Sequence, residues 1–341
     1  MNQKKTHFCR GAIWAIMIIL PLAVVNPSWG ATLQEIKERG VLRHLGIPFA
    51  NFVTGSGDGL DVELVKLFAQ SLGVGYQYVE ATWDNVIGDL TGKRVIPKGD
   101  KLIILGEVPI KGDIIANGFT MLDWRKKVVD FSIPTFPDQI WLVARADSTL
   151  KPIIPHDTIF RGAIIPGLSE ADSTPKPIII HDNVEKDIAS VKALLKRRSL
   201  LGRSCTCLDP TLYSLKKTGA RIKFFPGSLN DLAPAIIKGE AELTLLDVPD
   251  ALVALEKFPG KIKVIGPITD RQYIGCAFAK NSPELREAFN RFLEKAKADG
   301  SYRELVRRYY PKIFNYFRDF FEKGIVISSR KIAKGPPWTG L

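Results

Sequence analysis

Arg125 is the residue whose chemistry is easiest to read. It lies in the stretch Asp113–Ser132 and is followed by Lys126 and Lys127. A guanidinium is a planar fork of donors that fits a carboxylate through two bonds, as lysine cannot. The same triplet also reads as a plain surface charge run. Asp247 ends the run Leu243–Leu246, which reads as a buried strand, and Pro249 then starts a helix. Open α/β sheets bind ligands at the carboxyl ends of their strands, and an Asp there also suits a helix N-cap. Arg203-Ser204-Cys205-Thr206-Cys207-Leu208-Asp209-Pro210 reads as a turn entering a helix that Gly219 would end. The free N–H groups of such a turn suit an anion. Trp83, Phe49 and Phe52 offer flat rings that can cover a cation or an apolar stem, or simply pack in a core.

His156-Asp157 and His181-Asp182 carry zinc-type ligands. They belong to a duplication: Ser148–Asp157 and Ser173–Asp182 agree at eight of ten positions, offset by 25 residues. Duplication explains the pairing without a site, so neither a metal nor a cofactor is expected.

The elements that must carry these groups alternate. A short helix from Leu33 to Gly40 precedes a strand from Val41 to Ile47. A helix follows from Asp61 to Leu72, with apolar residues on a helical period and Gly73 as its left-handed stop. Tyr76–Val79 reads as a strand and Trp83–Leu90 as a short helix. Near the far end, Ser282-Pro283 opens a helix that Gly300 closes, and Ser301 opens the next. Such alternation predicts an α/β fold with mainly parallel sheets.

The chain begins differently. Lys4, Lys5 and Arg10 precede an apolar run from Gly11 to Val25, and small residues follow at Ser28 and Gly30. That is the pattern of a secretory signal cleaved near Gly30, and residues 1–30 are read as such. The formal charge of the whole chain is +12. Losing Lys4, Lys5 and Arg10, with no acid among the first thirty residues, would leave +9. The remaining cations are scattered, so a surface that draws in small anionic or zwitterionic solutes fits better than a nucleic-acid face. Cys9 would leave with the signal. Cys205, Cys207 and Cys276 are read as buried free thiols, because Cys205 and Cys207 stand too close for a relaxed bridge.

Residues 113–132 contain Gly118, Thr120, Arg125 and Val129-Asp130-Phe131-Ser132 at characteristic spacing. This resembles the signature of the family 3 bacterial solute-binding proteins, periplasmic receptors of polar amino-acid ABC transporters. Further landmarks follow in the family's order: Gly59–Leu64, Trp83-Asp84, Leu245–Pro249 and Asp299–Tyr302. The resemblance runs from about Leu33 to Phe321. It implies a two-lobed, type II periplasmic-binding-protein fold, with two crossing strands and ligand in the cleft. Lobe 1 would comprise residues 31–140 with 272–321, and lobe 2 residues 141–271 with an insert at 150–195. Residues 322–341 would form a basic tail.

The resemblance also implies roles. Arg125 would hold a ligand's α-carboxylate, with Thr120 assisting and Gly118 offering its carbonyl to the ammonium, which Asp247 would bind. Thr206 and Arg203 would meet the carboxylate from lobe 2, with Trp83 and Phe49 as aromatic walls. Cysteines at 205 and 207 depart from the glycines the family prefers, and Leu122 stands where a second Thr is common. The expectation is thus a monomeric periplasmic receptor that passes an amino-acid-like solute to an ABC permease, binds no nucleic acid and catalyses nothing. The alternatives are an enzyme on this fold, of the cyclohexadienyl dehydratase kind, and a sensory module.

Overall fold

The computed structural model describes residues 30–98, 101–153 and 184–322. The apolar start, the duplicated His-Asp segments, most of the expected insert and the tail from Lys323 lie outside them. In chain order the strands are β1 (Val41–Gly46), β2 (Gly75–Glu80), β3 (Lys93–Lys98), β4 (Lys101–Glu107), β5 (Ile114–Ile115), β6 (Val129–Phe131), β7 (Phe136–Asp138) and β8 (Ile140–Arg145). They continue with β9 (Ser199–Gly202), β10 (Arg221–Phe224), β11 (Leu243–Asp247), β12 (Ile262–Pro267), β13 (Gln272–Ile274) and β14 (Ala277–Ala279).

Two five-stranded sheets form the cores of two lobes. The first has the order β2-β1-β5-β14-β6 and the second β10-β9-β11-β8-β12. Between them run β7 and β13, paired antiparallel with Phe136 opposite Ile274 and Asp138 opposite Gln272. The chain thus leaves the first sheet through β7, builds the second, and returns through β13 to place β14 beside β5 and β6.

Local chemistry explains the elements around the first sheet. Thr32 caps the helix Leu33–Arg39 by a reciprocal pair of bonds with Glu35, and Gly40 ends it at φ 75°. Leu64, Val65 and Phe68 of the helix Leu60–Leu72 are buried, and Gly73 stops that helix at φ 72°. Phe68 meets Phe289 of the helix Pro283–Ala298 at 5.1 Å between ring centres. No helix among the described residues is long and apolar enough to cross a membrane.

Three features differ from the sequence expectation. The sheets are mixed rather than mainly parallel, because β14, returning from the second lobe, runs antiparallel to β5 and β6, and β8 runs antiparallel to β11 and β12. The expected helix after Asp209 is two tight 3-10 turns, Pro210–Tyr213 and Leu215–Thr218, because Ser214 between them adopts φ 55°. An unexpected hairpin, β3 and β4, follows the helix Val86–Thr91. It exposes Ile104 and Leu105. Lys93, Arg94 and the glycines of this segment mask its alternation in the sequence.

Gly118 has φ 70°, and a Cβ there would stand 2.6 Å from Cδ2 of Phe52. Gly118→Ala is therefore expected to cost about 1–3 kcal/mol, from overpacking and left-handed backbone strain. Urea unfolding would read it; an unchanged midpoint would show that Phe52 moves aside freely.

Candidate functional site

The site forms where β7 and β13 cross. Residues 117–122 follow β5, and Thr120 bridges to Ile274 of β13. The chain then turns through the four-residue helix Asp123–Lys126, which folds Arg125 back onto its own approach. One Arg125 amino group donates to the Thr120 carbonyl at 3.0 Å, and the other reaches the Cys205 carbonyl of the second lobe at 3.4 Å. The five-residue spacing from Thr120 to Arg125 has this physical basis.

The guanidinium is 1% exposed and lies over the Phe119 ring at 3.9 Å. Trp124 and Trp83 stand within 5.4 and 5.9 Å. Burial brings its pKa down to about 10. Among the described residues no carboxylate pairs with it, and its Nε has no hydrogen-bond partner. A buried cation without an acid is a costly arrangement, and its chemistry matches an incoming carboxylate.

Asp247 ends β11 and caps the helix Val248–Lys257, accepting from the Asp250 amide at 2.9 Å. It is wholly buried, and burial, followed by the neighbouring Asp138 and Asp250, holds its carboxyl well above the usual range. The Cys207 thiol donates to Asp247 at 3.8 Å. That thiol also lies beside Thr120 and in the field of Arg125, so it stands between the two ends of the site.

The other expected residues fall around this axis. The Thr120 hydroxyl donates to Asp138 at 3.4 Å. Gly118 donates its amide to the buried Asp61 at 2.7 Å. The Thr206 hydroxyl serves its own turn, donating to the Arg203 carbonyl at 2.7 Å and accepting from the Leu208 amide at 3.0 Å. Arg203 pairs with Asp84 of the first lobe at 3.2 Å, a contact between the lobes. Trp83 stacks on Phe119 with centres 6.5 Å apart, while Phe49 packs edge-on against Trp83 and beside Phe52. Asn230 adds a further contact between lobes, accepting from the Ala50 amide at 2.9 Å. Cys205 takes φ 62°, so a cysteine adopts the backbone that glycine would hold more easily. Among the described residues Cys205, Cys207 and Cys276 are free thiols; Cys207 and Cys276 are buried, and Cys205 is partly exposed.

Three residues escaped the sequence reading: Phe119, under the guanidinium; Tyr213, whose hydroxyl donates to the Cys207 carbonyl; and Asp138, wholly buried in β7. The available signal for Asp138 was an acid inside the crossing segment. Among the described residues no group of three or more His, Cys, Asp or Glu is placed to hold a metal.

Comparison with known proteins decides the family. Residues 110–312 match the model of the bacterial extracellular solute-binding proteins, family 3. The chain is a family 3 bacterial extracellular solute-binding protein. An ancestral amino acid-binding protein, described as a precursor of cyclohexadienyl dehydratase, shares the two-lobed fold of this family 3 chain. Its TM-score is 0.59 at 24% identity, covering 82% of this chain and 100% of that one. The L-cystine-binding protein of Escherichia coli K12 is 28% identical over 141 residues, 39% of this chain and 46% of that protein. Membrane-bound lytic murein transglycosylase F of Stutzerimonas stutzeri is 28% identical over 318 residues, 85% of this chain. The family 3 chain spans 60% of that relative's length.

These relatives correct one expectation. The sequence reading expects a chain that catalyses nothing, yet relatives matching most of it bear an enzyme's name. Enzymatic activity is open to this family 3 protein. Binding groups read by resemblance do not decide that question, because a site that clamps a ligand and one that also transforms it can share the clamp.

Proposed function

We propose that this chain captures a small zwitterionic, amino-acid-like solute between its lobes, with the carboxylate on Arg125 and the ammonium at Asp247. The observation that carries the reading is Arg125, buried over Phe119 and bonded, among the described residues, only to backbone carbonyls, in one site with a buried carboxylate. Thr120 and Gly118 line the same end. Thr206, Arg203, Trp83 and Phe49 act one step back, by shaping the turn, the lobe contact and the aromatic wall. In this reading residues 1–30 are removed on export and the mature monomer works in the periplasm. It hands its solute to the permease of an ABC importer.

The test is mass spectrometry of small molecules released on denaturing protein purified from its native compartment. A compound bearing both an ammonium and a carboxylate, near one per chain, is expected. A stoichiometric compound lacking either group would overturn the reading.

A second reading rests on the long alignment with transglycosylase F: a binding unit that acts on, or beside an enzyme of, the murein wall. Release of soluble fragments from purified murein by the isolated chain would favour it.

A further inference from the structure

We infer that Asp138 is a second carboxylate of the ammonium end, so that the cleft holds its ligand's cationic group between two acids and capture displaces a proton they share. The inference rests on the zwitterion reading above. Asp138 lies on the crossing strand β7, and Asp247 sits opposite Ile140, two residues further on. Both side chains are wholly buried, and among the described residues neither pairs with a cation. The groups facing them are Thr120, the Gln139 and Val248 amides, Cys207, Tyr213, Asp250 and Tyr310, with Arg125 beyond Cys207. Of these only Arg125 is a cation, and its amino groups are turned to the Thr120 and Cys205 carbonyls.

Two acids buried side by side with no cation cannot both ionise freely, so together they retain a proton. Burial raises Asp138 to about 6, while Asp247 is held higher by burial and by Asp138 itself. An alkylammonium carries three donors, enough for one bond to each acid and one to a neutral acceptor. Its positive charge favours the doubly ionised pair. Binding should therefore expel the shared proton, and affinity should rise with pH until that proton is already lost.

Calorimetry with the standard L-amino acids and L-cystine, each titrated singly, supplies the test. Titrating the best binder in buffers of different ionisation enthalpy should show proton release, and its 2-hydroxy-acid counterpart should show none. Asp138→Asn should weaken the amino acid roughly tenfold or more near neutral pH, as expected for a lost hydrogen bond to a charged group. It should also move the rise in affinity to lower pH, because Asp247 would lose its like-charged neighbour. Asp250→Asn should leave proton release in place. Amino-acid binding to the wild type with no proton release, or an unchanged pH profile in Asp138→Asn, would overturn the inference and leave the zwitterion reading standing. Failure of every amino acid to bind folded wild type would overturn both.

Discussion

Arg125→Ala is expected to weaken amino-acid binding by roughly 30-fold to several thousandfold. Removing one partner of a buried, hydrogen-bonded charge pair costs about 2–5 kcal/mol, and each 1.4 kcal/mol is about tenfold. Arg125→Lys should recover little of this, since an ammonium retains the charge but not the fork that addresses both carboxylate oxygens. The guanidinium also ties residues 120–125 to the Cys205 turn, so thermal melts must accompany the titrations. Loss of binding in step with a collapsed melt would point to a structural role. Loss of binding with an intact melt would assign Arg125 to the ligand. Asp247→Asn should weaken binding less, because the amide oxygen still accepts a hydrogen bond.

The purified protein is expected to lose stability as pH rises from about 5 to about 8, with Asp61 a principal source. Asp61 is buried, accepts from the Gly118 amide, and is raised by burial to about 7 from an ordinary value of 3.8. In the unfolded chain it ionises at low pH, whereas in the folded chain it keeps its proton until about 7. Stability from this group therefore falls between those two values and is level above them. Asp250, raised to about 7, acts in the same direction. His44, pushed down to about 4 by burial, acts the other way, because stability is gained as pH rises towards its ordinary value. The acids outnumber it. Asp61→Asn should remove roughly 3 kcal/mol of the pH-dependent loss, using about 1.4 kcal/mol for each of two pKa units. The melting temperature should then fall by several degrees less than in wild type over the same range, at about 2–4 °C per kcal/mol. Equal falls in the two proteins would show that Asp61 ionises normally in the fold.

The parts of this molecule that could be read in advance are those set by local pattern. Gly73 after Leu72 and Thr32 before Leu33 mark helix ends because they satisfy orphan backbone groups at a known place. The Gly118–Ser132 signature was legible because Arg125 must fold back to the Thr120 carbonyl, which requires a fixed spacing. Ser214 was not legible: a serine at φ 55° is disfavoured locally and persists through its surroundings, so no residue type announced the break between the two 3-10 turns. Asp138 was missed for a similar reason. Its meaning comes from Asp247, more than a hundred residues away in sequence and adjacent only once β8 pairs with β11. Arg203 is expected beside a ligand carboxylate by resemblance alone, and no local pattern announced that the fold also brings Asp84 within 3.2 Å of it from the other lobe.

Calorimetric titration of wild type and Arg125→Ala with the standard L-amino acids and L-cystine tests the zwitterion clamp most directly. One-to-one binding of at least one of these ligands, lost or weakened at least 30-fold in a variant that still melts cooperatively, is the expected result. Equal affinity in the two proteins, with both natively folded, would contradict the assignment of the ligand's carboxylate to Arg125.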